Sequence, residues 1–357
     1  MSSASNLEIL DASLAAARAR WMTLWEASPD REVFANPDYA QLFCRKGELH
    51  ACLAWCDAGG TVLFPLILRP MATEPWASDY ISDLWDATTP YGYGGAQVWG
   101  EPDGDGFWRA FEEWARSRKL VSLFVRLSLF PGAILPFPGD VIEVRPNVVR
   151  SLALAPDAMW MDYEHKVRKN TKRAQREGVR VEVDLEGLRI DDFLSVYYST
   201  MERRAASSAY YFDREFFLRL IRDLRGYFAF FHALHDGNVV SSELVLESST
   251  HIYSFLGGTK AEAFDLRPND LLKHEIIRWG SRAGKDAFIL GGGYGSQDGI
   301  LRYKLSFAPN GIVPFRVGQR IFDRDAYDRL VSQRGTWEAR QGRQWKCRGD
   351  FFPAYRG

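Results

Sequence analysis

The chain has 357 residues, 46% hydrophobic and 25% charged, which are the proportions of a soluble globular protein long enough for two domains. Its 45 basic and 46 acidic side chains leave no net field to gather nucleic acid or membrane, so any such partner must meet a local patch. No run approaches the roughly 20 apolar residues of a spanning helix, and the first residues lack the basic start and apolar core of a signal peptide.

In chain order, residues 7–25 carry apolar side chains at helical spacing and predict a helix that stops before Pro29. Segments 49–55 and 61–68 flank Asp57-Ala58-Gly59-Gly60 and predict a hairpin. Cys52 and Cys56 fall on its first strand, about 13 Å apart and too far for a disulfide. With Cys44 and Cys347 they fit no metal spacing, and four thiols without a framework point to a reducing cytoplasm. A glycine-aromatic loop at 90–95 follows, then a helix from Asp105 through Trp108, Phe111 and Trp114, then an apolar strand at 120–125. The proline- and glycine-rich stretch 131–139 ends this half, and 141–154 reads as extended chain.

The second half repeats that order. Segments 227–234 and 239–246 flank Asp236-Gly237-Asn238, strand 251–256 ends at Gly257-Gly258, and Asn269 or Asp270 caps a helix through Leu272, Ile276 and Trp279. Strand 286–290 then opens into the glycines of 291–299. Beyond them Leu301, Tyr303 and Leu305 alternate with Arg302, Lys304 and Ser306, which predicts another strand with Lys304 turned away from the apolar face. No Gly-Lys-Ser/Thr follows these glycines and the G-x-G-x-x-G spacing breaks at Ser296, so a phosphate loop is excluded. The shared order of hairpin, glycine-containing loop, helix and buried strand reads as a duplicated domain.

Between the halves, residues 166–176 hold six basic side chains in eleven positions, with Gly178 as the C-cap. On a helix, Val167, Thr171 and Ala174 form a narrow inward stripe. Lys166, Lys169, Lys172, Arg173 and Arg176 supply a basic face for a phosphate-bearing partner, denser than helix solvation requires.

With these pieces in order, the chain resembles the Fem family of aminoacyl-tRNA-dependent peptidyltransferases, within the wider GNAT acyltransferase superfamily. Five stretches carry the resemblance: 165–174 with Gly178-Val179, Tyr198-Ser199-Thr200-Met201-Glu202-Arg203-Arg204, Tyr253-Ser254-Phe255-Leu256-Gly257-Gly258, Leu266-Arg267-Pro268-Asn269-Asp270-Leu271-Leu272, and 291–307 ending in Tyr303-Lys304-Leu305-Ser306-Phe307. It covers about 159–307 well and the first half only by architecture. The resemblance implies an α+β fold of two tandem GNAT-like domains with mixed, mostly antiparallel sheets flanked by helices and a cleft along their junction. The first would span 1–150 and be completed by 318–357; the second would span 151–317. Residues 191–225 leave room for two ordinary helices, so no long coiled-coil arm is expected.

The implied reaction is attack of an amine on an acyl carbonyl through a tetrahedral oxyanion, which needs a cation or donor where charge develops. Lys304 matches the family lysine near the acyl group and is the expected oxyanion stabiliser, with Tyr303 shaping the pocket wall. Arg204 and Tyr253 match family substrate contacts, and Tyr211 is placed with them. Glu243 comes from pattern alone: it shares one face of an apolar strand with Ser241, where burial favours a protonatable carboxyl suited to a general base or amine binder, or pairs it to a structural arginine.

His232 and His235 face opposite ways on a strand, and no metal, Ser-His-Asp motif or covalent intermediate is expected. The donor implied by the resemblance is aminoacyl-tRNA, with no resident cofactor. The acceptor would be the amine of a small peptide, a peptidoglycan-precursor-like molecule or a natural product, and the protein a cytoplasmic monomer. The alternative is an acyl-CoA or acyl-carrier donor acting on an amino sugar or small amine. Against CoA, 257–270 lacks an Arg/Gln-x-x-Gly-x-Gly/Ala loop, and Asp270 at the helix cap would repel pyrophosphate. A non-enzymatic RNA- or peptide-binding protein on the same fold is the third reading.

Overall fold

The chain divides into two units, Met1–Val144 with Phe315–Gly357, and Arg145–Pro314. The computed structural model describes residues 6–78, 81–206, 210–293, 299–347 and 351–357. The first unit opens with strand β1 (Leu7–Asp11) and helix α1 (Ala15–Ala27), where one helix was expected over 7–25. β1 pairs antiparallel with β2 (Leu49–Cys56), from Leu7↔Trp55 to Asp11↔Ala51, and Asp11 accepts the Ser13 amide where the strand ends. Leu-Glu-Ile-Leu-Asp spans little more than one helical turn, too short to fix a period, and the hydrogen bonds offered by β2 decide its conformation.

Helix α2 (Pro37–Leu42) precedes β2, and β3 (Gly60–Pro70) completes the expected hairpin. Strands β4 (Trp85–Thr88) and β5 (Gln97–Gly100) lead to helix α3 (Gly104–Ser117) and strands β6 (Leu120–Arg126) and β7 (Asp140–Glu143). The Asp103 side chain caps α3 by accepting the Gly106 amide, and Phe107, Phe111 and Ala115 recur every four residues on its buried face.

The second unit holds β8 (Asn147–Ser151), α4 (Pro156–Asp162), α5 (His165–Arg176), β9 (Arg180–Asp184), α6 (Ile190–Arg203) and α7 (Arg214–Asp223). After them come β10 (Phe228–His235), β11 (Asn238–Glu247), β12 (His251–Thr259), α8 (Pro268–Arg282), β13 (Ala287–Gly292), α9 (Gly299–Leu305) and β14 (Ile312–Val313). Its sheet order is β14-β8-β13-β12-β11-β10-β9. The chain then returns to the first unit with β15 (Arg316–Ile321) and α10 (Arg324–Arg340). The first sheet runs β1-β2-β3-β4-β6-β15-β7, with β5 on β3.

Each unit has the same kernel, an antiparallel hairpin followed by one parallel pair with a helix between its strands in sequence: β4 and β6 around α3, β12 and β13 around α8. The result is an α+β fold of two mixed sheets flanked by helices. In the second unit Phe231, Ile252, Phe288 and Leu290 pack with Leu272 and Ile276 of α8, while on the other face Phe193 meets Phe230 and clusters with Tyr197 and Phe217. Such burial contributes about 1.5–3 kcal/mol per side chain. Every residue of β10 from Phe228 to Leu234 is buried, because helices cover both sides.

The strand expected after the glycines is helix α9. Leu301 joins the core of the second unit with Phe307, and Tyr303 and Leu305 pack against it. Alternation over six residues also suits a helix when it is covered on two sides, since Leu301 and Leu305 share one face and Tyr303 takes the other. The glycine stretch is described through Gly293; residues 294–298 lie outside the described residues. Cys44, Cys52, Cys56 and Cys347 are free thiols. Among the described residues no helix is long and apolar enough to cross a membrane, and no group of His, Cys, Asp and Glu could hold a metal.

Candidate active site in the second unit

β12 and β13 pair in parallel over only three positions, His251↔Ala287, Ile252↔Phe288 and Tyr253↔Ile289. Beyond them β12 stays with β11 and β13 stays with β8, so two sheet neighbours part. A bulge marks each strand at that level. On β12, Ser254 opposes Val245 and Leu256 opposes Leu244, leaving Phe255 over. On β13, Leu290 is left over between Ile289 and Gly291, and Gly291 takes φ +80°, where a side chain would be strained. Bulges bend strands and re-aim side chains, and here they open a fork in the sheet.

Beneath the fork lies a buried ion pair. Glu243 of β11 and Lys273 of α8 are each 5% exposed, and the Lys273 ammonium donates to the Glu243 carboxylate and to Ser254 Oγ at 2.9 Å. The sequence leaves Glu243 as a general base, an amine binder or the partner of a structural arginine. In the structure it is buried, and the partner at hydrogen-bond distance is a lysine, to which its carboxylate is the counter-ion. Lys273 could have been found from sequence: it precedes buried Ile277 by four residues and Gly280 by seven, on the inner stripe of α8.

The start of α8 also differs from expectation. Pro268 is its first residue, Arg267 sits at the N-cap at φ +58°, and Asp270 lies inside the first turn. Asp270 is buried, burial pushes its carboxyl above the ordinary range, and its Oδ1 accepts from Asn170 Nδ2 of α5 at 3.1 Å. The Tyr303 hydroxyl donates to Asn269 O at 3.2 Å, and burial raises its pKa well above that of a free tyrosine, so it stays a donor. Lys304 is half-buried and its ammonium donates to Gly292 O at the end of β13, 2.6 Å away. Glu243 of β11 and Tyr303 and Lys304 of α9 thus come from two elements around the fork, and Tyr253 lies buried in the last β12–β13 pair. Arg204, the exposed C-cap of α6, and Tyr211, 40% exposed before α7, make no hydrogen bond or ion pair with this group among the described residues.

Helix α5 buries Val167, Thr171 and Ala174, as its spacing predicts. His165, Arg168, Lys169, Lys172, Gln175 and Arg176 line a concavity of about 690 Å³ on its outer side. Lys166, Lys169, Lys172 and Arg176 are exposed; Arg173 lies 3.9 Å from Glu177. Lys172 stands over the Trp160 ring, 5.9 Å from its centre.

Behind it, His274 faces the Tyr163 hydroxyl at 3.3 Å and the Trp160 ring, and burial lowers its pKa from near 6.5 to about 4. The unfolded chain therefore takes up this proton first. Stability is intact above pH 6.5 and falls as pH drops toward 4, by up to about 3 kcal/mol. Thermal unfolding at pH 7 and pH 4.5 is expected to show a smaller acid loss for His274→Gln than for the parent; equal losses would exclude His274 as a source.

A further alignment links Ser242 Oγ to His232 Nδ1 at 2.9 Å, with His232 Nε2 3.7 Å from Asp184. It is not a nucleophile site. Ser242 and His232 are sealed from solvent and Ser242 already meets Phe231 O.

Residues 162–305 match the acetyltransferase (GNAT) domain family. No curated protein matches the sequence. Among solved structures, FemX aligns at a TM-score of 0.67 and 12% identity over 87% of this chain and 97% of FemX. The C-terminal domain of a candidate lysylphosphatidylglycerol synthetase from Agrobacterium fabrum aligns at 0.55 and 13% identity, covering 89% and 96% of the two chains. A conserved protein of unknown function from Bacteroides thetaiotaomicron gives 0.55 and 11%, covering 86% and 97%. These likenesses establish the fold.

Proposed function

Starting from a chain that carries a GNAT acyltransferase domain and folds as a Fem-like tandem of GNAT-like units, we propose that it transfers an aminoacyl group from aminoacyl-tRNA to the amine of a peptide or cell-wall-precursor-like acceptor. The observation that carries the donor is the basic outer face of α5, a concentration of cation on a chain of near-zero net charge. The name of the Agrobacterium fabrum relative also describes an amino acid joined to an acceptor. Lys304 would stabilise the oxyanion and Tyr303 would line the pocket, while Arg204, Tyr211 and Tyr253 remain proposed substrate contacts. The amine attacks the acyl carbon directly, without a covalent enzyme intermediate.

The description of the matched domain favours acetyl-CoA as the rival donor. Against it stands the first turn of α8, where Pro268 offers no N–H and Asp270 places a carboxyl where a pyrophosphate would need donors. A filter assay with a radiolabelled aminoacyl-tRNA pool, or with radiolabelled acetyl-CoA, and a lysine-containing pentapeptide as acceptor separates the two. Transfer from acetyl-CoA alone would sink the tRNA reading. Reversing charge at Lys172 and Arg173 to Glu is expected to weaken tRNA binding without unfolding the protein. It should also make the log–log salt dependence of binding shallower by about two. An unchanged slope would reduce α5 to a solvated surface.

A further inference from the structure

Ser254 is the first residue of β12 beyond its last pairing with β13, and it is only partly buried. Its oxygen accepts from Lys273 Nζ at 2.9 Å. That ammonium is fixed from below by Glu243 and lies 5.2 Å from the centre of the Phe288 ring. Two properties of this arrangement go unused in the reaction as set out so far. A buried ion pair stabilises a fold little better than apolar residues of the same volume, so stability alone does not account for Lys273 and Glu243. A serine oxygen that accepts from an ammonium also keeps its own proton for an acceptor elsewhere, and among the described residues no group takes it.

We propose that the Ser254 hydroxyl donates a hydrogen bond to the carbonyl oxygen of the acyl donor at the fork between β12 and β13, with Lys273 and Glu243 as the positioning pair beneath it. The inference rests on the acyl-transfer reading and adds a second donor to Lys304. The acceptor nitrogen forms a bond to the acyl carbon, and the C=O electron pair moves onto oxygen, where Ser254 meets it. When the pair returns, the bond from acyl carbon to the leaving oxygen breaks, and the proton lost by the amine ends on that oxygen. Ser254 gives up no proton. Its O–H is polarised by the ammonium behind it, and such a donor gains strength as charge builds on the oxygen.

The test is steady-state transfer to the lysine-containing pentapeptide by Ser254→Ala and Ser254→Thr, with the aminoacyl-tRNA pool and with acetyl-CoA. For Ser254→Ala, kcat is expected to fall about a hundredfold with KM for the donor unchanged, and Ser254→Thr, which keeps the hydroxyl, should restore most of it. Melting temperatures equal to the parent's would separate this from a folding defect. Parental kcat in Ser254→Ala, or a raised KM with kcat untouched, would overturn the role of Ser254 and leave the acyl-transfer reading standing. Transfer from acetyl-CoA alone would remove the tRNA donor, and the same loss of kcat on that donor would still uphold the hydrogen bond. No transfer by the parent protein from either donor overturns both.

Discussion

Lys273→Met is expected to destabilise the protein by about 3–5 kcal/mol, because it leaves the Glu243 carboxylate buried without its cation. The neighbouring interactions sharpen the expectation. Lys273 also bonds Ser254, and the surroundings are apolar, with Phe288 5.2 Å from the ammonium. Glu243→Leu alone should be comparably damaging, since it strands the ammonium. The double variant Lys273→Met/Glu243→Leu removes both charges and should recover most of the loss, giving a coupling energy of opposite sign to the single effects. Urea unfolding of the four proteins at pH 7 measures it. Additive losses in the double variant would show that the pair does not act as a unit.

Lys304→Ala is expected to lower kcat by about 10²–10³ if its ammonium meets the developing oxyanion. The fold should survive, because the side chain is half-buried and its bond to the Gly292 carbonyl lies at the end of β13. Near-parental transfer by Lys304→Ala, with its circular dichroism unchanged, would remove it from the chemistry. RNA binding by the parent without any transfer activity, retained in Lys304→Ala, would favour a binding protein on this fold. Arg at this position is not a conservative rescue, since a planar fork does not reproduce a compact ammonium.

Much of this was readable in the sequence for identifiable reasons. The hairpins of both units follow from apolar runs around Asp57-Ala58-Gly59-Gly60 and Asp236-Gly237-Asn238, and the inner stripe of α5 follows from Val167, Thr171 and Ala174. The start of α8 was misplaced because Asp270 looks like a cap. Pro268, the better start signal, lies two residues before it, and Asp270 turned inward to Asn170. Residues 301–306 misled because six residues of alternation suit either period once two sides are covered.

The sequence by itself determined the two-part organisation, the repeated order of elements and the cationic face of α5. Each of these is written in local periodicity, turn residues or charge density, which neighbours in the chain supply. Only the tertiary structure decided what lies at the fork. Ser254, Lys273 and Glu243 stand on three different elements, and their hydrogen bonds exist because β11, β12 and α8 pack together. Whether Glu243 is a free base or a counter-ion depends on which cation the fold brings to it, and no local pattern around residue 243 carries that information.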